Sequence, residues 1–136
     1  MPAGRRSRRR NRESAMTKIL LRGAHSGDRL GLVEIDVEAG FGGPPLHTHE
    51  LRDEGFYVLQ GEVTIQAAER VVTTEPGASV FASRETPHTF ANHSGKGARM
   101  LIAFTPAGFE RALAGEMTRE DIPALILRRA EPRIGG

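Results

Sequence analysis

The chain contains no cysteine. Disulfides and thiolate metal sites are therefore excluded, so any bound metal must be held by His, Asp, Glu or water. Long apolar runs are also missing. None approaches the roughly 18 residues that a helical membrane span requires, so no membrane partner is expected. Arginines near the start are not followed by an apolar stretch, so they do not read as a secretory signal, and a cytoplasmic location is the expectation. No internal repeat is visible, and 136 residues fit one domain.

The formal charge of +2 hides an asymmetry. Residues 1–15, MPAGRRSRRRNRESA, hold six arginines and one glutamate, which leaves 13 basic against 16 acidic residues in the rest. The remainder is mildly acidic. The head is a like-charge block with almost no apolar residues, a composition that predicts disorder. Six arginines supply charge but no base readout, so no specific nucleic-acid partner is expected. Met16 opens MTKILLRG, which reads like a natural beginning.

From Ile19 to Ile102 the sequence consists of short apolar runs broken by turn residues. In RLGLVEIDVEAG, Leu30 and Leu32 and then Val33, Ile35 and Val37 alternate with polar residues, and the change of phase predicts a bulge near Leu32. FGGPPL is a loop, because two glycines and two prolines do not fit inside a central strand. GFYVLQGEVTIQA reads as two strands meeting near Gln60 and Gly61. Further breaks fall at Glu75 to Gly77, Ser83 to Pro87 and Ser94 to Gly97. Strands at this spacing predict a sandwich or barrel. After Pro106 the period becomes helical. AGFERALAGEM places Phe109, Ala112 and Leu113 on one face. TREDIPALILRR opens with a cap candidate at Thr118 and Asp121, and places Ile122, Leu125, Ile126 and Arg129 on one helical face. The expected organisation is a basic head over 1–15, a β domain over 16–105 and a helical segment over 106–136.

One stretch carries chemistry: LHTHELRDEGFYVLQG, from Leu46 to Gly61. In a strand, residues i and i+2 share a face, so His47 and His49 can aim two imidazoles at one ion while Thr48 faces away. If Glu54 faces inward, so do Phe56 and Val58, and Tyr57 and Leu59 face outward. An inward carboxylate between Phe and Val is costly unless neutralised, and a divalent cation is its natural partner. From the chain's own composition, chance produces such a spacing on the order of once in a few hundred sequences. A second stretch, GASVFASRETPHTFANH, places His88, Phe90 and Asn92 on one face after a turn and supplies a third imidazole.

These two stretches resemble the paired motifs of the cupin superfamily, G-x5-H-x-H-x3,4-E-x6-G and G-x5-P-x-G-x2-H-x3-N. His47, His49, Glu54 and Gly61 match the first; Gly77, His88 and Asn92 match the second. Three turn positions depart: Phe41 stands for the leading glycine with Gly42 next to it, Ser83 for the proline, and Glu85 for the glycine before the histidine. The motifs span about residues 40–105, and FTPAGFERAL is similar to the segment after the barrel in small single-domain cupins of the quercetin-dioxygenase-like group. The resemblance implies an all-β double-stranded β-helix, or jelly roll, with His47, His49, Glu54 and His88 as metal ligands inside the barrel.

Other residues follow from position. His25 and His93 are expected in exposed loops, and Asn92 is expected to hold its loop by hydrogen bonds. Arg52 and Asp53 are expected to be solvated. Phe56, Phe90, Met100 and Phe104, with Ile102, are core residues that can also line a substrate pocket. Phe109 can close the barrel mouth or simply pack. Three imidazoles and a carboxylate leave one or two positions open on an octahedral ion, and suit Fe, Mn, Ni, Cu or Zn. The leading expectation is a metal-dependent oxidoreductase of dioxygenase type acting on a small organic molecule, with Glu54 as ligand or catalytic base. The alternatives are a non-oxidative metalloenzyme (isomerase or lyase) and a non-catalytic binding module. Exposed apolar edges make a homodimer the expected assembly.

Overall fold

The computed structural model describes residues 16–116 and the strand 127–129. The basic head and the cap candidate at Thr118 and Asp121 lie outside the described residues. In chain order the elements are β1 (Thr17–Leu21), α1 (Gly23–Ser26), β2 (Gly31–Val37), β3 (His47–His49), β4 (Asp53–Gln60) and β5 (Val63–Ala67). They continue with β6 (Arg70–Thr74), β7 (Ser79–Ala82), β8 (His88–Ala91), β9 (Ala98–Thr105), α2 (Phe109–Leu113) and β10 (Leu127–Arg129). The strands form two five-stranded sheets, ordered β1-β2-β9-β4-β7 and β10-β3-β8-β5-β6. All pairings are antiparallel. This is the all-β jelly roll.

Alternation along each strand builds the core. β2 buries Val33, Ile35 and Val37 and leaves Leu32, Glu34 and Asp36 on the other face. β9 runs between β2 and β4, so Ile102 lies opposite both Val33 and Phe56, and Met100 opposite both Ile35 and Val58. Val63, Ile65 and Phe90 of the second sheet complete the same buried cluster. Each such side chain contributes roughly 1.5–3 kcal/mol on burial. The period-2 pattern therefore fixes which side of every strand faces inward, and a one-residue slip would expose the whole set.

Two expectations need correction. The bulge lies on β1 rather than in β2: Ile19 pairs with Val33 and Leu21 with Leu32, which leaves Leu20 as the extra residue. β2 itself is regular, because the apparent change of phase comes from Leu30, which precedes the strand. The end of the presumed second helix is also different. Leu127 to Arg129 form β10, which covers the edge of β3 with Arg129 opposite His47 and Leu127 opposite His49. A three-residue edge pairing leaves no periodicity to read, and Ile122, Leu125 and Ile126, placed on the same helical face by the sequence, lie outside the described residues. The first helix is present, with Phe109 and Leu113 packed on the core.

The turn before β8 departs from ideality at one informative position. Glu85 has a left-handed φ of 66° where the motif carries glycine, so the backbone keeps the glycine conformation with a side chain attached. Its N–H donates to the His49 carbonyl at 2.7 Å, which ties this turn to β3. The leading-glycine role passes to Gly43. It has φ 89°, and a Cβ there would collide with the Phe90 carbonyl oxygen. The loop before β3 can lie against β8 only because this residue has no side chain.

Candidate metal centre

Four side chains meet at one end of the barrel. β3 supplies His47 and His49, the start of β4 supplies Glu54, and the start of β8 supplies His88. His47 and His88 are directly paired across β3 and β8. One potential ligand atom from each of the four lies within 4.8 Å of the others. The imidazole centroids are 4.5 to 5.0 Å apart. His49, Glu54 and His88 are buried, while His47 is half-buried.

Backbone carbonyls orient two of the rings. His47 Nδ1 lies 2.7 Å from the Pro45 carbonyl and His88 Nδ1 lies 2.8 Å from the Thr86 carbonyl. A carbonyl can only accept, so each Nδ1 carries the proton and each Nε2 presents its lone pair to the cluster. That tautomer is the one a metal ligand needs. His88 Nε2 lies 2.8 Å from Glu54 Oε2, a contact that in the metal-free state uses a proton a metal would displace.

His49 is the telling residue. It is 1% exposed, and neither ring nitrogen has a hydrogen-bond partner among the described residues. Its Nε2 lies 2.7 Å from Glu54 Oε2, yet without the alignment of a hydrogen bond. A buried polar atom left in this way costs about 1–3 kcal/mol. Three imidazoles and one carboxylate are a donor set suited to a divalent transition ion, and such an ion would satisfy the stranded nitrogen. The residues present therefore fit a metal.

The electrostatics are consistent with this. Burial pushes Glu54 up, but the imidazoles of His49 and His88 outweigh it and hold the carboxylate at about 2. Burial pushes His88 down, and the Glu54 carboxylate more than reverses this, so it ends above its ordinary value. His47 is lowered, mainly by burial. The carboxylate is ionised across the physiological range and is ready as an anionic ligand.

Phe104 lies opposite Glu54 in the pairing of β4 with β9, whereas Met100 lies opposite Val58, further along β9. Phe56, Phe90, Met100 and Phe104 are all in the buried cluster, and the Phe56 ring lies 6.1 Å from that of His88. Phe109 of α2 sits edge-on to His49 at 4.7 Å and to Phe104 at 5.5 Å, so it covers this end of the barrel. His25 and His93 are exposed and outside the cluster. Asn92 is fully buried and does bind its loop: its amide donates to the Val37 and Lys96 carbonyls, and its oxygen accepts from Ser94.

Two residues escape the reading of the sequence. Arg52 corrects the expectation of a solvated side chain: it is only 5% exposed, with its guanidinium over the Phe109 ring at 5.3 Å. Its loop folds under α2, a long-range contact that no local pattern announces. Asp53 is partly exposed as expected and pairs with Arg84 at 3.1 Å. The second residue is Glu110. It is 1% exposed and accepts from the Gly23 and Gly108 N–H groups at 2.9 and 2.6 Å, which fastens α2 to the start of α1. Gly31 leaves room for that carboxylate.

The family model described as "Cupin domain" matches residues 33–104. Among curated proteins no relative matches. Solved structures do. The TT1209 protein of Thermus thermophilus is 29% identical over 58% of this chain and 74% of its own, with a TM-score of 0.55. A double-stranded β-helix protein of Klebsiella pneumoniae is 14% identical over 86% of this chain and 84% of its own, with a TM-score of 0.62. A Thermotoga maritima protein described as a predicted oxalate decarboxylase is 20% identical over 66% of this chain and 78% of its own, also with a TM-score of 0.62. At these identities the last two establish likeness of fold alone.

Proposed function

Because the chain belongs to the cupin family, we propose that it is a metal-dependent oxidoreductase of dioxygenase type acting on a small organic molecule. His47, His49, Glu54 and His88 are its metal ligands, and Fe, Mn, Ni, Cu and Zn all suit the set. The observation that carries this reading is the buried His49 ring, stranded without a hydrogen bond between two imidazoles whose lone pairs are already turned inward.

A bound divalent ion would supply open coordination positions that bind a chelating substrate and promote its reaction with dioxygen. The protein's own residues do the rest. Glu54 balances charge and takes the proton that an enol, thiol or catechol-like group loses on binding. Phe56, Phe90, Met100, Phe104 and Phe109 exclude water from one side. His47, half-buried, marks the side from which substrate enters.

The reading extends to a cytoplasmic homodimer. No helix among the described residues is long and apolar enough to cross a membrane. Tyr57, Leu59 and Phe81 are exposed on the outer face of the first sheet, at 44%, 39% and 65%, and Phe81 lies opposite Gly55. Such a face favours association.

Oxygen uptake with a panel of catechols, enols and thiols tests the activity. Uptake by the metal-loaded protein that is lost in His49→Ala is the expected result. Uptake unchanged in that variant, with metal content verified, overturns the reading. Metal-dependent turnover under strict anaerobiosis would reassign the site to isomerase or lyase chemistry. Metal-dependent stability with no turnover would make it a binding module.

A further inference from the structure

Three of the four candidate ligands are buried, and a molecule arriving past the half-buried His47 still meets a ring beside His49. That ring is Phe109, 4.7 Å from the His49 ring and 5.5 Å from that of Phe104. The strands that carry the ligands are hydrogen-bonded into the two sheets, so they part only at the cost of their ladders. The helix that carries Phe109, α2, belongs to neither sheet.

This helix is bracketed by hinges. Gly108 before it has φ 134° and Gly115 after it has φ 75°. Glycine moves freely in this region and other residues rarely enter it, so the backbone can turn at either end without disturbing the short helix between. Two carboxylates hold the helix down, and both reach the same turn. One oxygen of the buried Glu110 accepts from the Gly23 N–H at 2.9 Å, and the other accepts from the Gly108 N–H at 2.6 Å. Beyond the helix, Glu116 forms a two-pronged pair with the Arg22 guanidinium at 2.7 and 2.8 Å. Arg22 and Gly23 are the N-cap and first residue of α1. That turn is itself braced, because the Ser26 hydroxyl donates to the Leu30 carbonyl and accepts from the Leu30 N–H. The Arg22–Glu116 pair is exposed and holds weakly, whereas the bonds to Glu110 are charge-assisted and shielded from water.

We infer that α2 is a hinged flap over the metal centre, that Glu110 is the latch that holds it shut, and that ligands reach the ion while the flap is open. The inference rests on the metal-site reading above and adds a gate to it. Glu110 is a positioning residue: it acts through its neighbour Phe109, which it presses against His49.

Stopped-flow binding of imidazole to the Co(II)-loaded protein, followed by the visible absorption of the cobalt, tests this. In the wild type the observed rate should level off as imidazole is raised, because flap opening becomes limiting. Glu110→Gln keeps the size of the side chain but loses the charge-assisted bonds, and should raise that plateau roughly tenfold or more at unchanged cobalt content. A second variant locks the flap instead. The chain has no cysteine, so Arg22→Cys combined with Glu116→Cys can be joined selectively by a thiol cross-linker that a phosphine cleaves. Joining should lower the rate roughly tenfold or more, and cleavage should restore it. Equal rates in the joined and cleaved protein overturn the inference. So does a wild-type rate that rises linearly without a plateau, or a plateau unchanged in folded Glu110→Gln. If Glu110→Gln does not fold, the joined protein decides alone, since both of its substitutions are at exposed positions. A wild-type protein that takes up no cobalt overturns the metal-site reading, and this inference with it.

Discussion

The barrel holds two buried polar clusters at opposite ends of β8, and they are built on opposite principles. Past the end of β8, Asn92 is fully buried, and the chain itself supplies partners for both its amide nitrogen and its oxygen. At the start of β8, His49 is just as buried and its ring nitrogens have no hydrogen-bond partner among the described residues. A protein that can satisfy Asn92 so fully does not leave His49 stranded by accident of packing. The closed cluster holds the fold; the open one gathers four potential ligand residues, and the His49 ring among them has no hydrogen-bond partner among the described residues. Burial alone does not separate the two roles, whereas hydrogen-bond satisfaction does.

The contrast can be broken in several ways. The largest effect is expected from metal removal. At a hundredfold excess of metal over its dissociation constant, binding stabilises the fold by about 2.7 kcal/mol. That corresponds to roughly 10–20 °C in Tm for a domain of this size. A chelator should lower Tm by that much in the wild type and leave His49→Ala unmoved. Next, Asn92→Leu should destabilise the protein by about 2–3 kcal/mol in a denaturant melt, because the Val37 and Lys96 carbonyls lose their donor in a buried place. Its Tm should still fall when metal is withdrawn. If it does not, the two clusters are not independent.

Acidity sharpens the comparison further. In the metal-free protein Glu54 is held at about 2, below its ordinary 4.5. Its contribution to stability is therefore complete above pH ~4.5 and is lost as pH falls through ~2, an effect of about 3 kcal/mol. His88 is raised instead, so its contribution is complete below its unfolded value of about 6.5 and fades as pH rises through the folded value. Urea melts of the metal-free protein across this range should show both limbs, and Glu54→Gln should remove them together. The Asn92 cluster has no charge to titrate, and Asn92→Leu should leave both limbs in place. The smallest effect is expected at Glu85. Replacing it with glycine relieves a left-handed φ and should stabilise the protein by about 1 kcal/mol without changing metal content.

Much of the fold and the cluster is legible in the sequence, and for a physical reason. Strand alternation dictates which residues face inward, so it places His47, His49, Glu54 and His88 on inner faces without coordinates. The same rule separates Phe56 and Val58 from Tyr57 and Leu59. Long-range contacts are not legible in this way. Nothing near Arg52 in the chain indicates that α2 will cover it, and nothing near Glu110 indicates that its carboxylate will hold Gly23. The pairing of β10 with β3 is equally silent, because three residues on an edge carry no period. The left-handed Glu85 shows why a motif departure at a turn need not disturb the ligands: the backbone keeps the conformation and accepts the strain.

Elemental analysis of the protein purified without a metal affinity column tests the central claim most directly. The account predicts close to one divalent transition ion per chain in the wild type, lost in His49→Ala while the β-sheet circular dichroism is retained. A wild-type protein free of transition metal after exposure to Fe, Mn, Ni, Cu and Zn, or an ion retained in His49→Ala, would contradict it.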